Sequence, residues 1–299
     1  MILAVRNGSK AIITERDLAV VLDVYKYRYV TAPQIRRLHF PSLQTAYRRL
    51  RALVELDYLK TFAVPNIPER LYHLSQSGAE LVAAQLNVEV ADLKWSQTSH
   101  APKDYYFLRH FLKTGDFRIA LKLACRESDI RLLGFIPEYY GEKTRGGSPV
   151  KYIKDFVCDI TDASVKMNHT PDGVFALMKN QVPALFFLEI DRGTEVISDA
   201  NKGVLKCVRF YLNYLVSGGY SRYQEDFQCS PFRGFRTLIV TTSATRIDNI
   251  RREISRLSFA EKAKKLIWLT TDIEVSETSL FQPIWQSADL TDGARYRIG

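Results

Sequence analysis

Apolar positions recur at Leu18, Val21, Leu22, Val24 and Tyr25 behind the polar run Thr14-Glu15-Arg16-Asp17, and this spacing predicts a helix of about three turns. Thr31-Ala32-Pro33 marks a second start: Thr31 is a capping residue, and the missing N–H of Pro33 costs little in a first turn. That helix, about 32–39, stops before Pro41. Ser42 caps a third helix through about Asp57, with Ala46, Leu50, Leu53, Val54 and Leu56 as its buried stripe. Two strand-like runs follow, 58–64 and 70–74, around the loop Pro65-Asn66-Ile67-Pro68. Another amphipathic helix, Ser75 to Leu86, closes the unit. Three short helices followed by a β-hairpin is the order of a winged helix-turn-helix, assigned to residues 1–87.

Periodicity lapses over 88–103, which reads as a linker. From 104 to 299 the pattern changes to that of an α/β domain. A long helix from Tyr105 to Arg126, which Gly115 is placed to interrupt, precedes strand-like runs at 132–137, 155–160, 173–178 and 184–191. A helix at 199–216, a strand at 235–241, a helix at 245–257, a strand at 265–270 and a last strand at 280–285 complete the series. The expected architecture is a mixed central sheet covered by helices. The stretch 139–149, charged and carrying Gly141, Gly146 and Gly147, reads as a flexible loop.

Charge sharpens the reading of the first domain. Lys plus Arg is 42 and Asp plus Glu is 33, a formal net charge of +9, which is compatible with a polyanionic partner. Its placement matters more than its sum: Arg36, Arg37, Arg48, Arg49 and Arg51 lie in a stretch, 34–54, without an acidic residue. The third helix also carries Gln44, Thr45 and Tyr47 at its N-terminal end, the end that enters a major groove in helix-turn-helix docking. The expected partner is double-stranded DNA, with the arginines on phosphates and Gln44, Thr45 and Tyr47 on base edges. A solvated basic face, or a wing that binds protein, has the same composition. No run approaches the ~20 apolar residues of a membrane span, and the short apolar N-terminus is not the pattern of a signal peptide. The four cysteines, Cys125, Cys158, Cys207 and Cys229, form no CxxC pair, so a zinc finger or disulfide scaffold is not expected and a cytoplasmic location is.

Candidate chemistry lies in the second domain. Pro171-Asp172-Gly173-Val174-Phe175 and Leu188-Glu189-Ile190-Asp191-Arg192-Gly193-Thr194-Glu195 are apolar strands flanked by acids. A turn centred near Gln181 sets Asp172 opposite Asp191 and Val174 opposite Glu189, and alternation puts Glu189 and Asp191 on one face. Phe186, Leu188 and Ile190 then point to the other face, into the core. Like charges gathered beside an apolar strand call for a cation, and hard oxygen donors suit Mg²⁺ or Mn²⁺. The same acids also serve as strand caps or as partners of Arg192. Glu195 suits the start of the following helix. Lys202 and Lys206 share a helix face, either as a cation near the acids or as a solvated stripe. The five histidines form no HxH or HxxxH pair, and no GxxxxGK[ST] phosphate loop or nucleophile elbow is present.

Pro-Asp followed about seventeen positions later by an acid in an apolar strand resembles the PD-(D/E)xK nucleases, whose fold is restriction-endonuclease-like. With a winged helix before it, the string PDG…EIDRGTE resembles more closely the replication-relaxation family, which includes the MOBC-type plasmid relaxases. The resemblance covers about 14–86 and 100–285. It implies a restriction-endonuclease-like α/β domain and metal-dependent nicking of DNA at a plasmid transfer or mobilisation origin, in the company of other mobilisation proteins. Asp172 and Glu189 become metal ligands, Asp191 joins them at the position where the wider group keeps a lysine, and Lys206 is the candidate for a displaced lysine. Because this chain reads ExD, not ExK, a non-catalytic DNA-binding accessory or regulator is the alternative, and a restriction or defence nuclease a third.

Overall fold

Local capping chemistry fixes the start of each helix in the N-terminal half. The computed structural model describes residues 2–6, 9–93, 95, 104–193, 197, 203–257 and 264–299, and the chain divides into two compact units, Met1–Ile119 and Ala120–Gly299. The first opens with an antiparallel hairpin, β1 (Ile2–Arg6) and β2 (Ser9–Ile13), that the sequence pattern did not predict. In α1 (Glu15–Tyr27) the Thr14 hydroxyl accepts from the Asp17 N–H while the Asp17 carboxylate accepts from the Thr14 N–H, satisfying two orphan donors at once. After the short β3 (Val30–Thr31), the same box recurs at Thr31 and Gln34 in α2 (Ala32–His39), with Pro33 in its first turn. Ser42 caps α3 (Leu43–Glu55), which buries Ala46, Leu50 and Leu53. β4 (Leu59–Val64) and β5 (Ile67–Leu74) pair tightly, and β3 adds to the other side of β5. The turn between β4 and β5 is Pro65-Asn66 alone, shorter than the expected loop at 65–68. Pro65 has its φ fixed by the ring, and Asn66 tolerates the φ of +66° that the next position requires. With α4 (Gln76–Leu86) closing it, this is a winged helix.

The long helix α5 (Tyr105–Arg126) is uninterrupted at Gly115. Its N-terminal part, through Arg118, is tied to the winged helix: Gln34 Nε2 donates to the Leu112 carbonyl (3.1 Å) and to Asp116 (3.1 Å), and Arg118 donates to the Lys26 carbonyl (2.9 Å). For this reason the division between compact units falls inside α5; most of the predicted linker, 88–103, lies outside the described residues.

The second unit is built on a seven-stranded mixed sheet. In chain order its strands and helices are β6 (Arg131–Pro137), β7 (Glu142–Arg145), β8 (Ser148–Lys151), β9 (Asp155–Cys158), β10 (Lys166–His169), β11 (Gly173–Lys179), β12 (Val182–Ile190), α6 (Gly203–Ser217), α7 (Tyr223–Phe227), β13 (Phe235–Thr241), α8 (Ala244–Ser255), β14 (Ile267–Thr271), β15 (Trp285–Ser287) and β16 (Arg295–Tyr296). The sheet order is β16-β15-β14-β13-β12-β11-β6; β6, β11 and β12 are antiparallel, and β12, β13 and β14 run parallel through helical crossovers. β7–β8 and β9–β10 are separate two-stranded ladders.

Val174, Ala176, Leu185 and Phe187 form one face of the sheet and pack with Val204, Val208 and Tyr211 of α6 and Ile247, Ile250 and Ile254 of α8. Phe175, Phe186 and Leu188, on the opposite face, are also buried, with Phe175 stacked on Phe135 and Phe186. Both faces are therefore core, as a strand with parallel neighbours requires, and not only the Phe186–Leu188–Ile190 side that alternation suggested. The last predicted strand, 280–285, is instead a succession of turns before β15, for Pro283 cannot donate to a ladder and the N–H groups of Leu280, Gln282 and Ile284 bond locally.

Candidate active site and nucleic-acid face

The β11–β12 turn decides which acids meet. Asn180 and Gln181 both adopt positive φ (50° and 64°), the geometry of a two-residue hairpin turn, so Lys179 pairs with Val182 and Gly173 with Leu188. The turn is one residue earlier than expected and the pairing slips by two, which brings Asp172, just before β11, beside Leu188 and Glu189 rather than Asp191; its N–H donates to the Leu188 carbonyl at 3.0 Å. An even slip leaves every side chain within the ladder on its face, and Asp172 stays near enough for its charge to act on Glu189. Gly173 is required here because a Cβ would lie 2.4 Å from the Phe135 ring.

Asp172 Oδ2 accepts from the Ile190 N–H at 2.7 Å, closing the end of the ladder. Glu189 Oε1 accepts from the Tyr211 hydroxyl at 2.5 Å and meets His169 Nε2 at 2.7 Å. His169 reaches it from the last position of β10, its ring packed on Phe210 and Tyr211 of α6. The side chains of His169 and Glu189 are only 19% and 15% exposed, so their charges interact in a dry environment. Burial pushes the Glu189 carboxyl above its usual range, with Asp172 adding to it and His169 and Tyr211 offsetting only part. Burial works against a charged His169, but the carboxylate facing it holds its imidazolium above the ordinary value. Together the two groups retain a proton more strongly than either does in water.

Asp191 goes elsewhere. Its carboxylate receives a two-pronged contact from Arg246 of α8 (2.8 and 3.0 Å), the Thr241 hydroxyl (2.6 Å) and the Gly193 N–H (3.1 Å). Burial opposes this charge, yet these donors, Arg246 first, hold the carboxyl below its usual range. Gly193 sits at φ +75°, where a side chain would also press on Thr242. The Asp191-Arg192-Gly193 string thus forms a locked turn onto α8, and Asp191 is not gathered with Asp172 and Glu189.

Lys206 is exposed on α6 and near enough for its charge to act on His169. Glu195 and Lys202 lie outside the described residues. Cys207, His169 and Glu189 present ligand atoms within 4.8 Å of one another, but Cys207 belongs to the buried apolar face of α6. Asp172 is not in that group, though its charge is near enough to act on Glu189 and His169; a nitrogen donor beside a carboxylate would favour Mn²⁺ over Mg²⁺. Nothing in the sequence marked His169: β10 is only four residues long, and the histidine lies 20 positions before Glu189.

In the winged helix, Gln44, Tyr47, Arg48 and Arg51 are exposed on α3, and Thr45 is half-buried beside its cap Ser42. Arg49 turns inward, its guanidinium bonded through Nε (2.9 Å) and Nη2 to the buried Asp17. Arg37 pairs with Asp116 at 3.3 Å, and Arg36 is half-buried. Arg70 of β5, not singled out in the sequence, joins the outward group. It acts on the Tyr72 phenol together with Arg51 and Tyr47, although burial is the larger influence and raises that phenol.

A winged helix followed by a seven-stranded mixed sheet covered by helices defines the class of molecule. The chain matches the replication-relaxation family over residues 22–228 and belongs to that family. No curated protein matches it. Among solved structures it is similar to ZitR, a zinc-responsive MarR family member of Lactococcus lactis, at 15% identity over 33% of this chain and 75% of ZitR, with a TM-score of 0.24. It is also similar to the restriction endonuclease FokI bound to DNA, at 11% identity over 87% of this chain, with a TM-score of 0.26. A second FokI structure aligns at 12% identity over 90% of this chain, with a TM-score of 0.23. The chain covers 43% and 45% of those two FokI chains.

Proposed function

We propose that the winged helix binds double-stranded DNA and that the α/β domain nicks it, using a divalent ion held by Asp172, Glu189 and His169. The observation that carries this reading is the placement of Asp172 and Glu189 at adjoining ends of β11 and β12, near enough for the charge of Asp172 to act on Glu189, with His169 bonded to Glu189. A bound Mn²⁺ or Mg²⁺ acidifies a water and neutralises charge developing on a phosphodiester. The protein's part is positional: Tyr211 and His169 fix the Glu189 carboxylate, the Ile190 N–H fixes that of Asp172, and Lys206 offers a cation at the rim for a phosphate oxygen. Membership of the replication-relaxation family, and the likeness of PDG…EIDRGTE to MOBC-type relaxases, support a plasmid transfer or mobilisation origin as the DNA. They also support other mobilisation proteins as partners and the cytoplasm as the setting.

A second reading, a DNA-binding regulator without catalysis, is favoured by one observation: the position of the motif lysine holds Asp191, already neutralised by Arg246. Supercoiled cognate plasmid incubated with wild type or Glu189→Gln, with and without Mn²⁺ or Mg²⁺, separates the two. Metal-dependent conversion to open circle, lost in the variant, is the expected result. Retained binding with no conversion under either metal favours the regulator, and linear product would point to a double-strand nuclease.

A further inference from the structure

The stretch 139–149, which reads as a loop in the sequence, contains β7 and the start of a two-stranded arm rooted at the candidate active site. β7 and β8 pair from Glu142↔Lys151 to Arg145↔Ser148 around Gly146-Gly147, both at positive φ (55° and 80°), and a Cβ at either glycine would meet nothing within 4 Å. The tip therefore stands in open space, and the arm is no part of the seven-stranded sheet. Its first foot follows β6, where the Glu138 N–H donates to the Asp172 carbonyl at 3.2 Å. Its second foot leads into β9, whose Asp155 pairs directly with His169. The two feet of the arm, Glu138 and Asp155, thus lie beside Asp172 and His169, the two residues whose charges act on Glu189.

Between 142 and 154 the arm carries Lys143, Arg145, Lys151 and Lys154 against the single acid Glu142. Lys143 is held to Asp155 at 3.3 Å, which stiffens the base. The Arg145 guanidinium lies 3.7 Å over the Phe156 ring, and Lys151, half exposed, reaches Glu138. Tyr140 is 43% exposed beside Tyr152, so rings are interleaved with the cations. Cations and aromatic faces on a projecting ribbon suit a polyanion that also offers planes to stack on, which is a nucleic acid.

We propose that the β7–β8 arm grips the sugar–phosphate backbone of the DNA strand entering the Asp172–Glu189 site. This rests on the nuclease reading for the identity of the site, but its test does not depend on cleavage. The full chain carrying Glu189→Gln is titrated with a mixed-sequence duplex, and with one of its single strands, at several salt concentrations. The measurement is repeated with Arg145→Ala and Lys151→Ala added. The arm variant is expected to bind about tenfold more weakly and to lose about 0.7–1.8 from the slope of log affinity against log salt, for one to two phosphate contacts. A photo-crosslinking residue placed at the exposed Ser148 should label DNA. Arg145→Lys should keep most of the slope, which separates charge from ring packing. An unchanged slope with no crosslink, in a protein that still binds DNA, overturns the proposal, as does crosslinking to an added acidic protein but not to DNA. A reduced slope in a protein that never nicks DNA upholds the arm and removes the catalytic reading. Should Arg145→Ala lower the melting temperature, Lys154→Glu and the Ser148 crosslink decide the outcome.

Discussion

Asp191 and Glu189 are two positions apart on one strand end, yet their environments give them opposite roles. Glu189 keeps its carboxylate beside Asp172 and His169, while Asp191 is neutralised by Arg246 in a pair whose side chains are 4% and 14% exposed. A buried charge left without its partner pays its full desolvation cost, so Arg246→Ala should lower stability by about 3–5 kcal/mol in urea unfolding. Calorimetric titration of Asp191→Asn with Mn²⁺ should give nearly wild-type affinity, whereas Glu189→Gln should lose binding. Equal losses in the two variants would return Asp191 to the metal site. The sequence made the acids conspicuous but could not rank them, because the ranking is made by Arg246, 55 residues further along, and by His169, 20 residues before Glu189.

At the scale of elements, the wing strand β5 contains a buried polar group that makes the winged helix sensitive to pH. His73 is packed between Tyr29 and Phe62. Burial, and to a lesser degree Lys60, pushes its imidazole below the ordinary value of 6.5. The unfolded chain then binds the proton more readily than the folded one, so this stabilisation is complete above that value. It is lost as pH falls through it toward the folded-state value. Melting temperature should drop as pH is lowered from about 7.5 to 5, and His73→Phe should flatten that part of the profile; an equal drop in the variant would place the sensitive group elsewhere. Elements with caps, such as α1 and α2, and long or continuous apolar runs, such as α5 and β13, were legible in sequence to within a residue or two. β9 fell within the predicted run 155–160, but β7, β8 and β10 were not legible, for runs of four residues are too short to stand out and their pairing is what makes them strands.

For the whole molecule, the net charge of +9 says only that a polyanion is welcome. The structure divides the arginines between holding the fold and facing outward. Arg48→Ala and Arg51→Ala, on the exposed face of α3, should each flatten the salt dependence of DNA binding by about 0.9 without moving the melting temperature. Arg49→Ala should do the reverse, since it strips the partner from Asp17 inside the capping box of α1. Loss of slope on removing Arg49, with stability intact, would mean that its side chain faces the DNA.

What the sequence determined by itself was the pattern readable within one turn or one strand. It contained the winged-helix order, the α/β character of the second half, the acids of the PDG and EIDRG strings, and membership of a family now matched over 22–228. What only the tertiary structure decided was everything that depends on which distant segments meet. The turn at Asn180-Gln181 set the register that brings Asp172 near Glu189, α8 engaged Asp191, β10 delivered His169, and the ribbon between β6 and β9 set a basic arm beside them. Local propensity acts over a few residues, whereas charge neutralisation and register act between chains of atoms brought together only when the core closes.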